Sequence, residues 1–584
     1  MQNHSDTSIK HFTRGGQTFL HNFRMVNQIV SRVTIFCFMI FIIATLGLEY
    51  LLTTDYQRYV IVQWISAHLI VFFRDNATQL FINADGETIK VYSKNLIDSI
   101  LAHQVIRDAA KASVKAMSGG FIITGICFIF IYRWLRKRGE RQTETKQLRG
   151  DTIVHWKTVK KLILKSKNVS DISLSGLPLP HGFECRHVLI HGTTGSGKSV
   201  CIRELLDQIR ARGDKAIIYD KGCDYVSTYY REGQDVLLNP LDKRTTPWHL
   251  WDECRDNVDF DSLAAALMPM PQGGSDPFWV NAARTIFASA ARQLQSNPNR
   301  SIDLLLKALL SLDLQALGLF LKGTEAETLV SDKAEKTAIS IKSVLTTYIK
   351  SLQYVVDEPN KFSIRRWIQD DTQRNWLFIS SISDRHETLK PLISMWLDIA
   401  ANALMSLTPS HTRRIWIIFD ELPSLQRLPY LPEAFAEARK FGGCLVAGMQ
   451  SISQLRKIYG IHAAEEISNL CNTRIFFRDP SFETAQWASK ELGESETEEM
   501  KENVSYSESA MRSGISISNQ RFQRQIISAS EIMHLNDLEA FIRLPGCFPV
   551  TKVKLNYKLH NKIAYPFIYK NINESAELTK EGNS

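Results

Sequence analysis

The fold is decided by one stretch of the chain, Cys185-Arg186-His187-Val188-Leu189-Ile190-His191 followed directly by Gly192-Thr193-Thr194-Gly195-Ser196-Gly197-Lys198-Ser199. The first seven residues contain the short apolar run of a buried strand, and a helical pattern from Val200 to Arg212 follows and ends at Gly213. A strand, a GxxxxGKS loop and a helix in this order are typical of a phosphate-binding loop. A Gly/Ser-rich turn is the alternative, but it explains only the loop and not its flanks.

The chemistry of such a loop requires these residue types. Glycines allow successive backbone N–H groups to close around phosphate oxygens at the positive end of the helix. Lys198 is predicted to neutralise the β- and γ-phosphates, and the Ser199 hydroxyl is predicted to bind Mg²⁺. The predicted nucleotide-binding residues are therefore Gly192, Thr193, Thr194, Gly195, Ser196, Gly197, Lys198 and Ser199.

A second motif, Arg414-Ile415-Trp416-Ile417-Ile418-Phe419-Asp420-Glu421, is an apolar strand pattern that ends in two acids. Asp420 is suited to bind Mg²⁺ through water, and Glu421 is suited to act as a general base. The alternative is that the two acids only cap the turn at Leu422-Pro423. Together with the phosphate-binding loop, they predict an ATPase that uses ATP and Mg²⁺.

The rest of the chain supports a folded α/β protein. Of its 584 residues 44% are hydrophobic and 22% charged, which excludes a wholly disordered chain. Strand patterns alternate with helical ones and predict a doubly wound sheet. Those strand patterns cover residues 215–220, 376–380, 444–449, 474–477 and 550–555.

Between Asp256 and Thr372 helical patterns dominate and predict an inserted helical lobe. The predicted helices are Phe278 to Leu294, Ile302 to Leu321 and Lys333 to Val356. The lysines of the last helix fit a solvated face of a bundle, or else a surface for DNA or a partner.

Two apolar runs, Val33 to Leu52 and Ala116 to Leu135, are long enough to cross a bilayer. Two buried helices of a soluble core are the alternative. Residues 1–149 carry +8 of the net charge of +9, so the remainder has no bulk positive charge for DNA. Basic residues are densest before the first run and after the second, which predicts that both termini and the nucleotide-binding part are cytoplasmic.

With these features and the run Asp420-Glu421-Leu422-Pro423-Ser424-Leu425, the chain resembles the conjugative coupling proteins of the TraD/TrwB type, relatives of the FtsK/HerA translocases. The resemblance is most specific in residues 185–225 and 414–455. It implies a RecA/FtsK-like P-loop nucleotide-binding domain with an inserted all-α domain and an N-terminal two-helix transmembrane anchor. It also implies a homohexamer in the bacterial inner membrane that receives a relaxase-bound single DNA strand and passes it, with ATP hydrolysis, to a type IV secretion channel.

On matching positions the resemblance implies catalytic roles for Lys198, Asp420 and Glu421, and it adds two residues. Arg439 resembles the arginine that reaches into a neighbouring subunit's site, and Gln450 resembles the third-motif glutamine. Arg439 also lies in the last turn of a predicted helix, where a cation complements the helix dipole, so both interpretations stay open. A similar run to Asp220-Lys221-Gly222 occurs in this family, and its role is not assigned.

The predicted organisation follows from these segments. It comprises a cytoplasmic segment 1–32, a transmembrane helix 33–52, a periplasmic segment 53–115, a second transmembrane helix 116–135, a basic juxtamembrane linker 136–183, a nucleotide-binding domain in two parts (184–255 and 374–570), an all-α insertion 256–373 and a disordered tail 571–584.

Three other functions stay open at this point. A double-stranded DNA translocase of the FtsK type would usually add a C-terminal winged helix, for which the roughly 30 residues after Leu555 leave no room. An ATP-driven receptor for protein substrates of a secretion channel fits the nearly neutral charge of residues 150–584. A membrane scaffold that binds nucleotide without hydrolysis would not need Glu421 beside Asp420.

Overall fold

The computed structural model describes residues 4–73, 78–84, 87–143, 146–271, 276–330, 335–505 and 514–570. The chain divides into two compact units. One comprises Met1–Lys146 with Glu499–Gln520, and the other comprises Gln147–Glu498 with Arg521–Ser584. The tail predicted at 571–584 lies outside the described residues.

The first unit contains two long apolar helices. Its elements are α1 (His4–Leu52), α2 (Asp55–Phe73), β1 (Gln79–Ala84), β2 (Glu87–Tyr92), α3 (Ser93–Ile97) and α4 (Ile100–Thr143). Within α1 and α4 the segments Phe23–Leu52 and Ile100–Glu140 are long and apolar enough to cross a membrane. Both helices continue well beyond the two predicted apolar runs.

Small residues let α1 and α4 approach closely. A Cβ added at Gly120 would collide with the hydroxyl of Thr45, and one at Gly119 would lie 2.7 Å from the Leu48 side chain. About two turns earlier in α4, the Ser113 hydroxyl donates to the Glu49 carboxylate at 2.7 Å. Close packing of small residues, with a polar contact at one end, is how apolar helices associate in lipid.

The second unit contains a large sheet covered by helices, together with smaller sheets. The strands of all these sheets are β3 (Lys146–Gly150), β4 (Ile153–His155), β5 (Val169–Leu174), β6 (Leu177–Pro180), β7 (Val188–His191), β8 (Lys215–Lys221), β9 (Val236–Leu238), β10 (Trp376–Ser381), β11 (Ile415–Phe419), β12 (Gly443–Met449), β13 (Thr473–Phe476), β14 (Glu494–Ser505), β15 (Gly514–Gln525), β16 (Glu539–Arg543) and β17 (Val550–Lys554). Strands β3, β14 and β15 contribute residues to both units.

The helices of this unit lie between those strands in the chain. They are α5 (Trp156–Lys165), α6 (Lys198–Arg212), α7 (Asp224–Tyr229), α8 (Asn257–Leu267), α9 (Pro277–Gln295), α10 (Ile302–Leu306), α11 (Leu314–Phe320), α12 (Glu335–Ile349), α13 (Ile364–Gln369), α14 (His386–Met405), α15 (Leu431–Glu437), α16 (Ile452–Tyr459), α17 (Ile461–Leu470), α18 (Phe482–Leu492) and α19 (Ala529–Met533).

Strand order confirms the predicted doubly wound sheet. Among the described residues its order is β4-β17-β16-β13-β7-β12-β11-β8-β10-β9, and the run from β13 to β9 is parallel. In the middle strand β11, Ile417 packs in the core that contains α14 while Ile418 packs in the core that contains α6. Because both faces are covered, β11 is apolar throughout rather than alternating.

Between Asp256 and Thr372 the described residues form helices and turns, with no strand among them. The prediction of one helix from Ile302 to Leu321 is wrong. A π-helical turn, Lys307–Ser311, follows α10, and the helix then ends at Leu312, whose backbone is extended. The Asp313 carboxylate caps a new helix by accepting the Ala316 N–H at 2.8 Å. The third predicted helix is also shorter, since α12 ends at Ile349 and a 3-10 turn follows.

Candidate nucleotide-binding site

The phosphate-binding loop joins β7 to α6. Gly195 and Gly197 have φ angles of 79° and 125°, which residues with a Cβ rarely adopt. A Cβ at Gly197 would also lie 2.8 Å from the ring of Phe477, which follows β13. The loop therefore folds tightly against the neighbouring strand; backbone conformation requires both glycines, and space also requires the one at 197.

Lys198 begins α6 and turns its ammonium group toward the end of β11. The Nζ atom donates to the Glu421 carboxylate at 2.7 Å and to the backbone carbonyl of Asp420 at 2.9 Å. Both charged side chains are mostly buried, with 8% and 12% of their surface exposed. Glu421 makes no side-chain capping bond to the turn that follows it, and its carboxylate instead accepts from Lys198.

Gln450 joins the same cluster because of the order of the strands. Strand β12 lies between β7 and β11, so the residue that follows it lies between Lys198 and Glu421. The Gln450 amide donates to the Glu421 carboxylate at 2.8 Å, and its own oxygen accepts from the Thr194 hydroxyl at 3.4 Å. Glu421 is thus held by a lysine on one side and an amide on the other.

Asp420 and Ser199 both lie close to the side chain of Tyr225. The Oδ1 atom of Asp420 accepts from the Tyr225 hydroxyl at 3.0 Å. Burial raises the pKa of Asp420, although the positive charge of Lys198 and the Tyr225 hydrogen bond both lower it. A carboxylate and a hydroxyl next to a phosphate-binding lysine fit Mg²⁺, which keeps waters and phosphate oxygens as its other ligands.

The donor set fits such an open site rather than a closed metal cage. Within the described part of the chain no group of three or more His, Cys, Asp or Glu could hold a metal ion. A magnesium ion bound together with a nucleotide needs only one or two protein ligands, so Ser199 and Asp420 suffice.

These side chains line a cavity of about 600 Å³, large enough for a nucleotide. Of the residues predicted from the sequence, the cavity brings together Thr193, Thr194, Gly195, Gly197, Lys198, Ser199, Asp420, Glu421 and Gln450. Ser196 instead stabilises the loop, since its hydroxyl donates to the Thr193 carbonyl at 2.7 Å. Gly192 packs behind the loop, against the side chain of Phe477.

Arg439 is not brought into this cavity. It is exposed in the 3-10 turn Ala438–Phe441, which ends at Gly442 with a φ of 82°. Arg439 lies near the amino-terminal ends of the parallel strands, where His187 precedes β7. Burial lowers the pKa of His187 to about 4, and the positive charge of Arg439 makes a smaller contribution in the same direction. Within one chain, Arg439 therefore does not reach the nucleotide site.

Several lining residues were not found from the sequence. They are Val200, Lys221, Ser383, Asp537, Leu538 and Tyr557. The Leu538 N–H donates to the carbonyl of Ser196 at 2.8 Å, with a left-handed φ of 65° at Leu538. Val200 lies in α6 and Lys221 ends β8, while the other four come from loops that no motif marks. Of the six residues only Lys221, in the unassigned run Asp220-Lys221-Gly222, had drawn attention in the sequence.

Residues 171–556 match the family described as the type IV secretion-system coupling protein DNA-binding domain, which is well over half of the chain. The chain belongs to the type IV secretion coupling proteins. It is 38% identical over 589 residues to the coupling protein TraD of Escherichia coli (strain K12), covering 98% of this chain and 81% of that protein. The predicted TraD/TrwB kinship and the predicted role as a coupling protein are confirmed.

Solved structures of another coupling protein agree. The bacterial conjugative coupling protein TrwBdeltaN70 superposes with a TM-score of 0.65 and 31% identity, over 73% of this chain and 97% of that one. Plasmid coupling protein TrwB in complex with ADP and Mg²⁺, and in complex with the ATP analogue ADPNP, give the same TM-score at 30% identity, over 73% and 74% of this chain and 97% and 98% of those chains. The predicted P-loop ATPase fold is confirmed, and the two apolar helices of this coupling protein are consistent with an inner-membrane location.

Proposed function

We propose that this coupling protein binds ATP with Mg²⁺ in the cavity beside Lys198 and hydrolyses it. The backbone N–H groups of the loop would hold the phosphates, and Ser199 and Asp420 would hold the metal. Mg²⁺, when bound, would neutralise charge on the transferring phosphoryl group. The ADP, ADPNP and Mg²⁺ complexes of the related TrwB support this assignment.

The contact of Lys198 with Glu421 is the observation that carries the proposal. In this structure the lysine pairs with the carboxylate that would act as the base. Nucleotide binding would require Lys198 to exchange Glu421 for a phosphate oxygen. That exchange would free Glu421 to accept a proton from the attacking water, with Gln450 holding the carboxylate in place. Substrate would thereby activate its own base.

The same proposal extends to transport. The match to a coupling-protein DNA-binding domain supports DNA as the cargo, with a relaxase-bound single strand passed to a type IV secretion channel. Arg439, exposed and outside its own cavity, is free to act in a neighbouring subunit, as a homohexamer would require.

The domain boundaries and topology given above belong to this proposal. Helices at 33–52 and 116–135 would span the inner membrane, the segment 53–115 would be periplasmic, and both termini would face the cytoplasm. The density of basic residues before the first span and after the second span supports this orientation.

The test is the ATPase activity of the full chain in lipid nanodiscs, measured without DNA, with single-stranded DNA and with duplex DNA. We expect Mg²⁺-dependent hydrolysis that single-stranded DNA stimulates, and no hydrolysis by Lys198→Ala. Stimulation by duplex alone would favour a double-stranded DNA translocase. An ATPase rate that neither single-stranded nor duplex DNA changes would overturn the proposal of DNA transport and favour a receptor for protein substrates.

A further inference from the structure

Asp220 and Lys221 are the last two residues of β8, and Gly222 begins the turn that follows. Of these three residues only Lys221, at the cavity wall, has a part in the site described so far. Asp220 is 1% exposed. Its carboxylate accepts three backbone N–H groups from the first turn of α7, those of Asp224 at 3.1 Å and of Tyr225 and Val226 at 2.8 Å each. Asp220 therefore fixes where α7 begins and how its first residues point.

The side chain that this arrangement orients is Tyr225. It is 1% exposed, and its hydroxyl donates to Asp420 Oδ1 at 3.0 Å and lies close to the Ser199 side chain. The guanidinium group of Arg203 lies 5.6 Å from the centre of the tyrosine ring.

The Tyr225 hydroxyl donates to one oxygen of the Asp420 carboxylate, which leaves the other oxygen for a metal-bound water. We propose that Tyr225 is a positioning residue that holds the Asp420 carboxylate and the Ser199 hydroxyl in the geometry that Mg²⁺ requires, and that Asp220 sets the position of Tyr225. This inference rests on the proposed function of the same site. Groups that orient metal ligands in this way contribute about 10- to 100-fold to metal affinity.

Tyr229 provides a matched control in the same helix. Its hydroxyl also donates to a carboxylate, Asp207 Oδ1 at 2.8 Å, and to the carbonyl of Arg203 at 3.1 Å. Tyr229 is 7% exposed and does not line the nucleotide cavity. Tyr225→Phe and Tyr229→Phe therefore each remove one hydroxyl bound to a carboxylate from α7, but only the first touches a predicted metal ligand.

The test measures metal binding directly. Full-length protein, Tyr225→Phe and Tyr229→Phe are titrated with Mn²⁺ in the presence of ADPNP, and free Mn²⁺ is followed by electron paramagnetic resonance. We expect Tyr225→Phe to weaken Mn²⁺ binding by about 10- to 100-fold. Tyr229→Phe should bind Mn²⁺ like the parent protein, and ADPNP binding in the presence of EDTA should be the same in all three proteins.

A second readout separates positioning from loss of structure. The Mg²⁺ concentration that gives half-maximal ATPase activity should rise for Tyr225→Phe while the rate at saturating Mg²⁺ stays near that of the parent. Mn²⁺ affinity that is equal in Tyr225→Phe and the parent, or equally reduced in both variants, would overturn the role of Tyr225. A parent protein that binds no Mn²⁺ with ADPNP would instead overturn the proposed function, so the two failures are distinct.

Discussion

Replacing Glu421 by Gln tests both the identity of the base and the exchange of partners at Lys198. The substitution keeps the shape of the side chain and one oxygen for the Gln450 amide, which donates at 2.8 Å. It removes the negative charge that Lys198 contacts at 2.7 Å. Loss of a general base lowers turnover by about 10²- to 10⁴-fold. We therefore expect hydrolysis by Glu421→Gln to fall by that factor.

Nucleotide binding should change in the opposite direction. A hydrogen bond between charged groups is worth about 1.5–3 kcal/mol, and here both side chains are mostly buried. In the parent protein ATP competes with Glu421 for Lys198. In Glu421→Gln that competitor is weakened, and the Lys198 ammonium group, which keeps the Asp420 carbonyl but loses its charged partner, destabilises the nucleotide-free protein. The affinity for ADPNP should rise by up to about 10- to 100-fold.

The assays are steady-state release of phosphate and equilibrium binding of a fluorescent ADPNP derivative, both with full-length protein. Glu358→Gln is the control, since Glu358 forms an exposed ion pair with Lys361 at 3.8 Å and should change neither quantity. Hydrolysis by Glu421→Gln within a few-fold of the parent rate would show that the base lies elsewhere. Unchanged or weaker ADPNP binding would refute the exchange of partners at Lys198.

Arg439→Ala should lower ATP turnover by about 10³-fold or more, the contribution of an arginine supplied in trans. Mixing it with inactive Lys198→Ala should restore activity, because some interfaces then combine an intact arginine with an intact loop; a mixture as inactive as its parts would refute the role in trans. Burial raises the pKa of Asp398 to about 7, far above the about 3.9 of an unfolded chain, so this group lowers stability as pH rises from about 4 to about 7. The asparagine side chain of Asp398→Asn can still accept the Tyr430 N–H. The substitution should therefore raise the apparent unfolding temperature, measured by scanning fluorimetry, at pH 8 but not at pH 4. An equal change at both pH values would contradict the raised pKa of Asp398.

Contiguous motifs were predicted well because their chemistry is local. The loop 192–199 has a strand before it and a helix after it in the sequence itself, and the structure has the same three elements at β7 and α6. Asp420 and Glu421 follow an apolar strand, which already places them at a carboxyl edge of the sheet. The helix break at Leu312 was missed because it is stabilised at long range, by a hydrogen bond from the Lys342 ammonium to the Leu312 carbonyl at 2.6 Å.

By itself the sequence determined the phosphate-binding loop, the acidic pair, the two apolar runs and the α/β class, since each follows from residue types at short spacings. Only the tertiary structure decided which side chains come together at the nucleotide-binding site. Strand order places Gln450 against Glu421, the turn after β8 brings Tyr225 to Asp420, and loops from distant parts of the chain add Leu538 and Tyr557. Neighbours in a sheet are chosen by packing of whole strands and helices, so a contact such as that of Tyr225 with Asp420, 195 positions apart, leaves no periodic trace in the sequence.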